Sequence, residues 1–105
     1  MEKRITIKGV EYPVKHCVRA RIICEGITGK MWNLSTLSAQ YSYMYATILA
    51  ADRSCKLDFE VFLDEIDENP SILTEWQAWI EGELKAEALR YQKKPAEEGK
   101  EAEKN

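Results

Sequence analysis

From Leu34 to Ala51 the chain reads LSTLSAQYSYMYATILAA without a single charged residue, although 31% of all positions are charged. Within it, Leu37, Tyr41, Met44, Tyr45, Ile48 and Leu49 follow the three-and-four spacing of an amphipathic helix. A second line of small residues runs beside them: Ser38, Ser42, Ala46 and Ala50. Small side chains every fourth position let another helix approach closely. A stretch that avoids charge for this long is expected to be covered on more than one side. It is either the centre of a small helical core or a face that receives a partner. Ser35, Thr36 and Ser38 are its candidate N-caps.

The flanking patterns predict the other elements. In 4–15, alternation places Ile5, Ile7, Val10, Tyr12 and Val14 on one face of a β-hairpin. A two-residue turn at Lys8-Gly9 then pairs Ile7 with Val10 and Ile5 with Tyr12, with Gly9 supplying the positive φ that such turns need. Pro13 has no N–H and marks an edge. A first helix runs from His16 or Val18 to Thr28, with Val18, Ile22, Ile23 and Ile27 as its inner stripe and Gly29 as terminator. Asp58 caps a short third helix striped by Phe59, Phe62, Leu63 and Ile66. Asn69-Pro70 closes it and opens a fourth, with Asn69 as N-cap and Ile72, Leu73, Trp76, Trp79, Ile80 and Leu84 as its stripe. Glu83 and Glu87 interrupt that stripe, so the last turns are expected to leave the core. The segment KKPAEEGKEAEKN has no aliphatic residue larger than Ala and no aromatic, and is expected to stay disordered. The fold expected is mainly α (α+β): an N-terminal hairpin packed on a bundle of about four helices, one domain over 1–92 with a charged tail over 93–105.

Charge and cysteine usage narrow the picture. The net charge is −3, against strong non-specific attraction to nucleic acid or anionic membrane. Residues 1–33 nevertheless hold seven Lys/Arg against three Glu, and residues 52–68 hold seven acids against two bases. Such polarity either pairs internally and in solvent or aligns copies head to tail. The N-terminus MEKRITIKG lacks the apolar core of a signal peptide. The uncharged stretch carries three Ser, two Thr and a Gln and has no long apolar run, which argues against a membrane span. Three cysteines, Cys17, Cys24 and Cys55, suit reduced cytosolic thiols.

The residues offer little for catalysis. His16 is the one histidine; beside Cys17 on a helix it would point about 100° away, poor for a thiol–imidazole pair or a zinc site with Cys24 and Cys55. Gly26-Ile-Thr-Gly29-Lys30-Met31 echoes the end of a phosphate-binding loop. Cys24 stands where its first glycine belongs, and Met31 stands where the Ser/Thr for magnesium belongs. The acids Asp64, Glu65, Asp67 and Glu68 lack the alternation and central glycine of a calcium loop and read as a solvated helix face. No catalytic, cofactor or metal site is expected. The candidate partner-binding residues are Trp32, Ser38, Ser42, Tyr43, Ala46, Ala50 and Trp79: the small-residue line, plus aromatics that core packing explains least.

The order of these pieces resembles the tail assembly chaperones of long-tailed phages and prophages. The residues that carry the likeness are the opening ITIKGVEYPVK, the helix ending in EGITGK, the Ser/Thr-rich LSTLSAQ leading into a Tyr-rich helix, the segment LDFEVFLDEIDENPSILTEW, and the charged tail. The likeness covers roughly residues 4–84. It implies a non-catalytic scaffold of the host bacterial cytoplasm that self-associates, binds the tape-measure protein and recruits tail-tube subunits. The alternative reading is a small nucleic-acid-binding regulator that turns Lys3, Arg4, Lys8, Lys15, Arg19 and Arg21 toward phosphates. A small enzyme built on His16 and the cysteines is a third.

Overall fold

The computed structural model describes residues 3–102, with side chains through Tyr91. A hairpin of β1 (Lys3–Ile7) and β2 (Val10–Val14) precedes four helices: α1 (Val18–Thr28), α2 (Leu37–Ala51), α3 (Phe59–Glu68) and α4 (Ser71–Ala102). The hairpin register matches the alternation, with Ile5 opposite Tyr12 and Ile7 opposite Val10. Lys8 and Gly9 have φ of 54° and 77°, so both central turn residues are left-handed, the geometry that matches the strand twist. Ile5, Ile7 and Val14 are buried, while Val10 at the turn is exposed.

The uncharged helix α2 is the centre. Ser42, Tyr43, Met44, Ala46, Thr47 and Ile48 are all buried, and six such positions within seven residues go right round the helix. Thr36 caps it, its hydroxyl accepting from Ala39 N–H at 3.0 Å. Each neighbour covers a different side. α1 packs closest, β2 lies along another flank, and α3 and α4 close the rest. Tyr45 joins Phe59 and Phe62 of α3, with ring centroids 4.9 and 5.4 Å away. Tyr43 meets Trp76 of α4 edge-on at 6.1 Å.

Thr47 ties two of these walls to α2. Its carbonyl accepts from Lys15 N–H at 3.1 Å, which fixes the end of the hairpin. Its hydroxyl donates to the Met44 carbonyl at 2.6 Å and accepts from Trp76 Nε1 at 3.3 Å. The fully buried Trp76 thus has its one polar atom satisfied inside the core. On the outside, Lys3 of β1 pairs with Glu75 of α4 at 2.7 Å.

Several expectations change. The inner stripe of α1 is not Val18–Ile22–Ile27: Val18 and Ile22 are 66% and 64% exposed, Ile27 is also exposed, and the buried residues are Ala20 and Cys24. At 100° per residue, Val18 and Ile22 lie about half a turn round from Ala20 and Cys24. Small residues face α2 because α1 approaches it closely, and branched side chains there would hold the two axes apart. Leu37, assigned to the α2 stripe, sits in the first turn and is 59% exposed. Glu65, read as part of a solvated face, is buried and accepts from Asn69 Nδ2 at 2.8 Å. That bond draws the Asn69 side chain back toward α3, so it does not cap α4, which begins at Ser71 directly after Pro70. Asp58 caps α3 through Glu60 N–H, and Gly29 closes α1 at φ 72°. The tail expected over 93–105 begins beyond the described side chains, and residues 103–105 lie outside the described residues altogether.

Truncating the buried indole should be severe where truncating the exposed leucine is not. Trp76→Ala is expected to lower stability by about 3–5 kcal/mol. Leu37→Ala should stay within about 0.5 kcal/mol of the parent. Urea titrations of both variants, followed by far-UV circular dichroism, measure the contrast.

Candidate partner-binding site

The small-residue line of α2 already holds a helix, and that helix is α1. Ser42 and Ala46 are buried, Ala50 is half-buried and Ser38 is exposed at the near end. Cys24 of α1 shares one cleft wall with Ser38 and Ser42. Tyr43, read with Trp32 as an aromatic that core packing explains less well, is fully buried in the core. Trp32 is half-buried against Tyr43, edge-on at 5.2 Å, and Trp79 is half-buried beside Trp76 at 6.4 Å. The fold therefore covers Tyr43 and Ala46 itself. It leaves outward a different set, Val18 and Ile22 on α1, with Met31 82% exposed in the connection that follows. Val18 and Ile22 are one turn apart and form a continuous apolar pair.

Behind that surface lies a polar cluster that the sequence does not announce. His16 lies in the extended link before α1, not on the helix, so its ring is free to turn inward. Nδ1 lies 2.7 Å from the Tyr43 hydroxyl and Nε2 lies 3.0 Å from Glu87 Oε1. Arg21 Nη2 donates to both Glu87 oxygens at 2.6 and 2.8 Å, and the guanidinium stacks over Trp32 with 4.5 Å to the ring centroid. A carboxylate only accepts, so the proton is assigned to Nε2, leaving Nδ1 to accept from Tyr43. The side chains of His16 and Glu87 are 4% and 15% exposed. Glu87 is therefore not a residue that carries α4 out of the core. It fastens α4 to α1 and to the end of the hairpin. Two donors in the cluster, Arg21 Nε and Trp32 Nε1, are buried without a partner.

The electrostatics follow the geometry. The hydrogen bond from His16 holds the Glu87 carboxyl below the usual range against the opposing effect of burial, and the hydrogen bond and charge of Arg21 add smaller pulls downward. Burial pushes the Tyr43 hydroxyl well up, so it stays protonated; the nearby Arg21 charge pulls only weakly the other way. Burial likewise raises the Cys24 thiol, aided by Glu25, which makes it a poorer nucleophile. Cys17, Cys24 and Cys55 are free thiols, and among the described residues no group of three His, Cys, Asp or Glu gathers as metal ligands. Of the six cations in the nucleic-acid alternative, Lys3 and Arg21 are engaged with Glu75 and Glu87. Among the described residues no helix is long and apolar enough to cross a membrane. No protein-family model, curated protein or solved structure matches the chain.

The depressed carboxyl has a thermodynamic consequence with a definite sign. The contribution of Glu87 is fully present above its unfolded value, about 4.3 for a glutamate, and is lost as pH falls through the lower folded value. Glu87→Gln should cost about 1–3 kcal/mol at pH 7. The gap between parent and variant should close as pH drops below 4. Paired denaturant titrations across that range test it, and a gap independent of pH would disprove the clasp.

Proposed function

We propose that this chain is a non-catalytic assembly chaperone of the phage-tail kind. It self-associates and binds a helical client, the tape-measure protein, and with it tail-tube subunits, in the bacterial cytoplasm. One observation carries the reading: the fold turns Val18 and Ile22 outward on α1, with Met31 exposed nearby, while it buries small residues on the inner face. Apolar surface held on a rigid helix is what a client helix docks against. The resemblance of ITIKGVEYPVK, EGITGK, LSTLSAQ and LDFEVFLDEIDENPSILTEW to tail assembly chaperones supports the particular client. The exposed carboxylates Glu60, Asp64, Asp67 and Glu68 of α3 and the exposed Lys8, Lys15 and Arg19 suit contacts between copies. Contacts of that kind are head-to-tail and make rings or filaments.

Val18→Asp with Ile22→Asp is expected to keep the fold, because exposed positions tolerate such changes within about 0.5 kcal/mol each. The double variant should lose co-purification with a co-expressed tape-measure protein. Self-association, followed by light scattering against concentration, should weaken as salt shortens the screening length toward roughly 8 Å. A parent chain that stays strictly monomeric and neither captures the client nor raises its solubility would end this reading.

A further inference from the structure

The cleft between the end of α1, the 29–36 connection and the first turns of α2 is separate from the Val18–Ile22 face. Its volume is about 350 Å³, which falls in the roughly 300–1,000 Å³ range of small-ligand sites. No Asp or Glu lines it. Lys30 does, along with the hydroxyls of Ser38 and Ser42 and the side chains of Trp32 and Phe59. The cleft opens on the N-terminus of α2. There Ala39 N–H is taken by the Thr36 hydroxyl and Gln40 N–H by the Thr36 carbonyl. The first-turn amides of Leu37 and Ser38 have no helical carbonyl to meet.

A second observation, independent of the helix end, points the same way. Ser42 is only 6% exposed, lies on the cleft wall, and its hydroxyl has no hydrogen-bonding partner among the described residues. Its oxygen is open to the cleft, so a ligand there can take a bond that no protein group takes. Ser38 lies one turn before it on the same side of α2. Ser38 with its first-turn amide and hydroxyl, the Ser42 hydroxyl and the Lys30 ammonium thus border a space whose lining holds no carboxylate. Positive helix-end potential and free N–H groups favour a tetrahedral oxyanion.

We propose that this cleft binds a phosphate group, as inorganic phosphate or as the monoester of a small molecule whose organic part lies against Trp32 and Phe59. The remnant of a phosphate-loop pattern at Gly29-Lys30 thereby has a use through its lysine alone, without the strand or the magnesium ligand of that motif. This site and client docking on Val18 and Ile22 stand or fall separately.

The test is an amide-shift titration of the ¹⁵N-labelled full chain with inorganic phosphate and, separately, phenyl phosphate, at ionic strength held constant with chloride. Saturable shifts at Leu37 and Ser38 are expected. Lys30→Ala and Ser42→Ala should each weaken binding roughly tenfold, as loss of a bond to a charged group does. Ser42→Ala should leave the ligand-free melting temperature unchanged or raised, since the hydroxyl it removes has no partner. If Ser42→Ala lowers that temperature, Ser38→Ala and Lys30→Ala carry the test. Tighter binding of phenyl phosphate assigns the site to a monoester, and equal binding assigns it to free phosphate. Absence of saturable shifts would overturn the proposal. So would shifts spread over Lys8, Lys15 and Arg19 that persist in Lys30→Ala.

Discussion

A helix without charge must have a wall on every side, and the arrangement of this protein follows from that need. α2 cannot turn a charged face to water, so the hairpin, α1, α3 and α4 each take one flank. Burying a helix completely brings its polar side chains inside as well, and these need partners within the core. Thr47 meets that demand with one residue, its carbonyl serving the hairpin and its hydroxyl serving the indole of Trp76. Removing the hydroxyl would leave a buried indole N–H unpaired as well as a gap, so the site is polar for a packing reason.

The same constraint explains the outward surface. α1 approaches α2 closely only by presenting Ala20 and Cys24, which sends the larger Val18 and Ile22 to the far side. Interior closeness and exterior stickiness are thus two results of one helix rotation. The polar cluster behind it fixes that rotation. Arg21 is held by both oxygens of Glu87 and by the face of Trp32, so α1 has little freedom to roll. A buried polar network of this kind specifies geometry more than it adds stability.

Much of the fold was legible in the sequence because local chemistry decides it. Strand alternation and Lys8-Gly9 set the hairpin register, Thr36 and Asp58 mark helix starts, and the missing charge identifies the central helix. What was not legible depends on distance between elements. Hydropathy favours Val18 and Ile22 as core, because it weighs apolarity and not how near a neighbouring helix comes. Glu87 reads as an interruption until Arg21 and His16, more than sixty positions earlier in the chain, are seen to meet it. Tyr43 was underestimated because a single stripe was sought on a helix that is covered all round. The Ser42 hydroxyl gives no signal in a sequence, since lacking a partner is a property of three-dimensional surroundings.

The separation between these partners bears on the order in which the chain can fold as it is made. The hairpin, α1 and α2 leave the ribosome before Glu75, Trp76 and Glu87 exist. During that interval one flank of the uncharged helix has no cover, Lys3 lacks Glu75 and Arg21 lacks its carboxylate. Local contacts let the first half collapse early, yet its closure depends on residues translated last. A nascent chain of this protein is therefore, for a short time, itself an object in need of a chaperone.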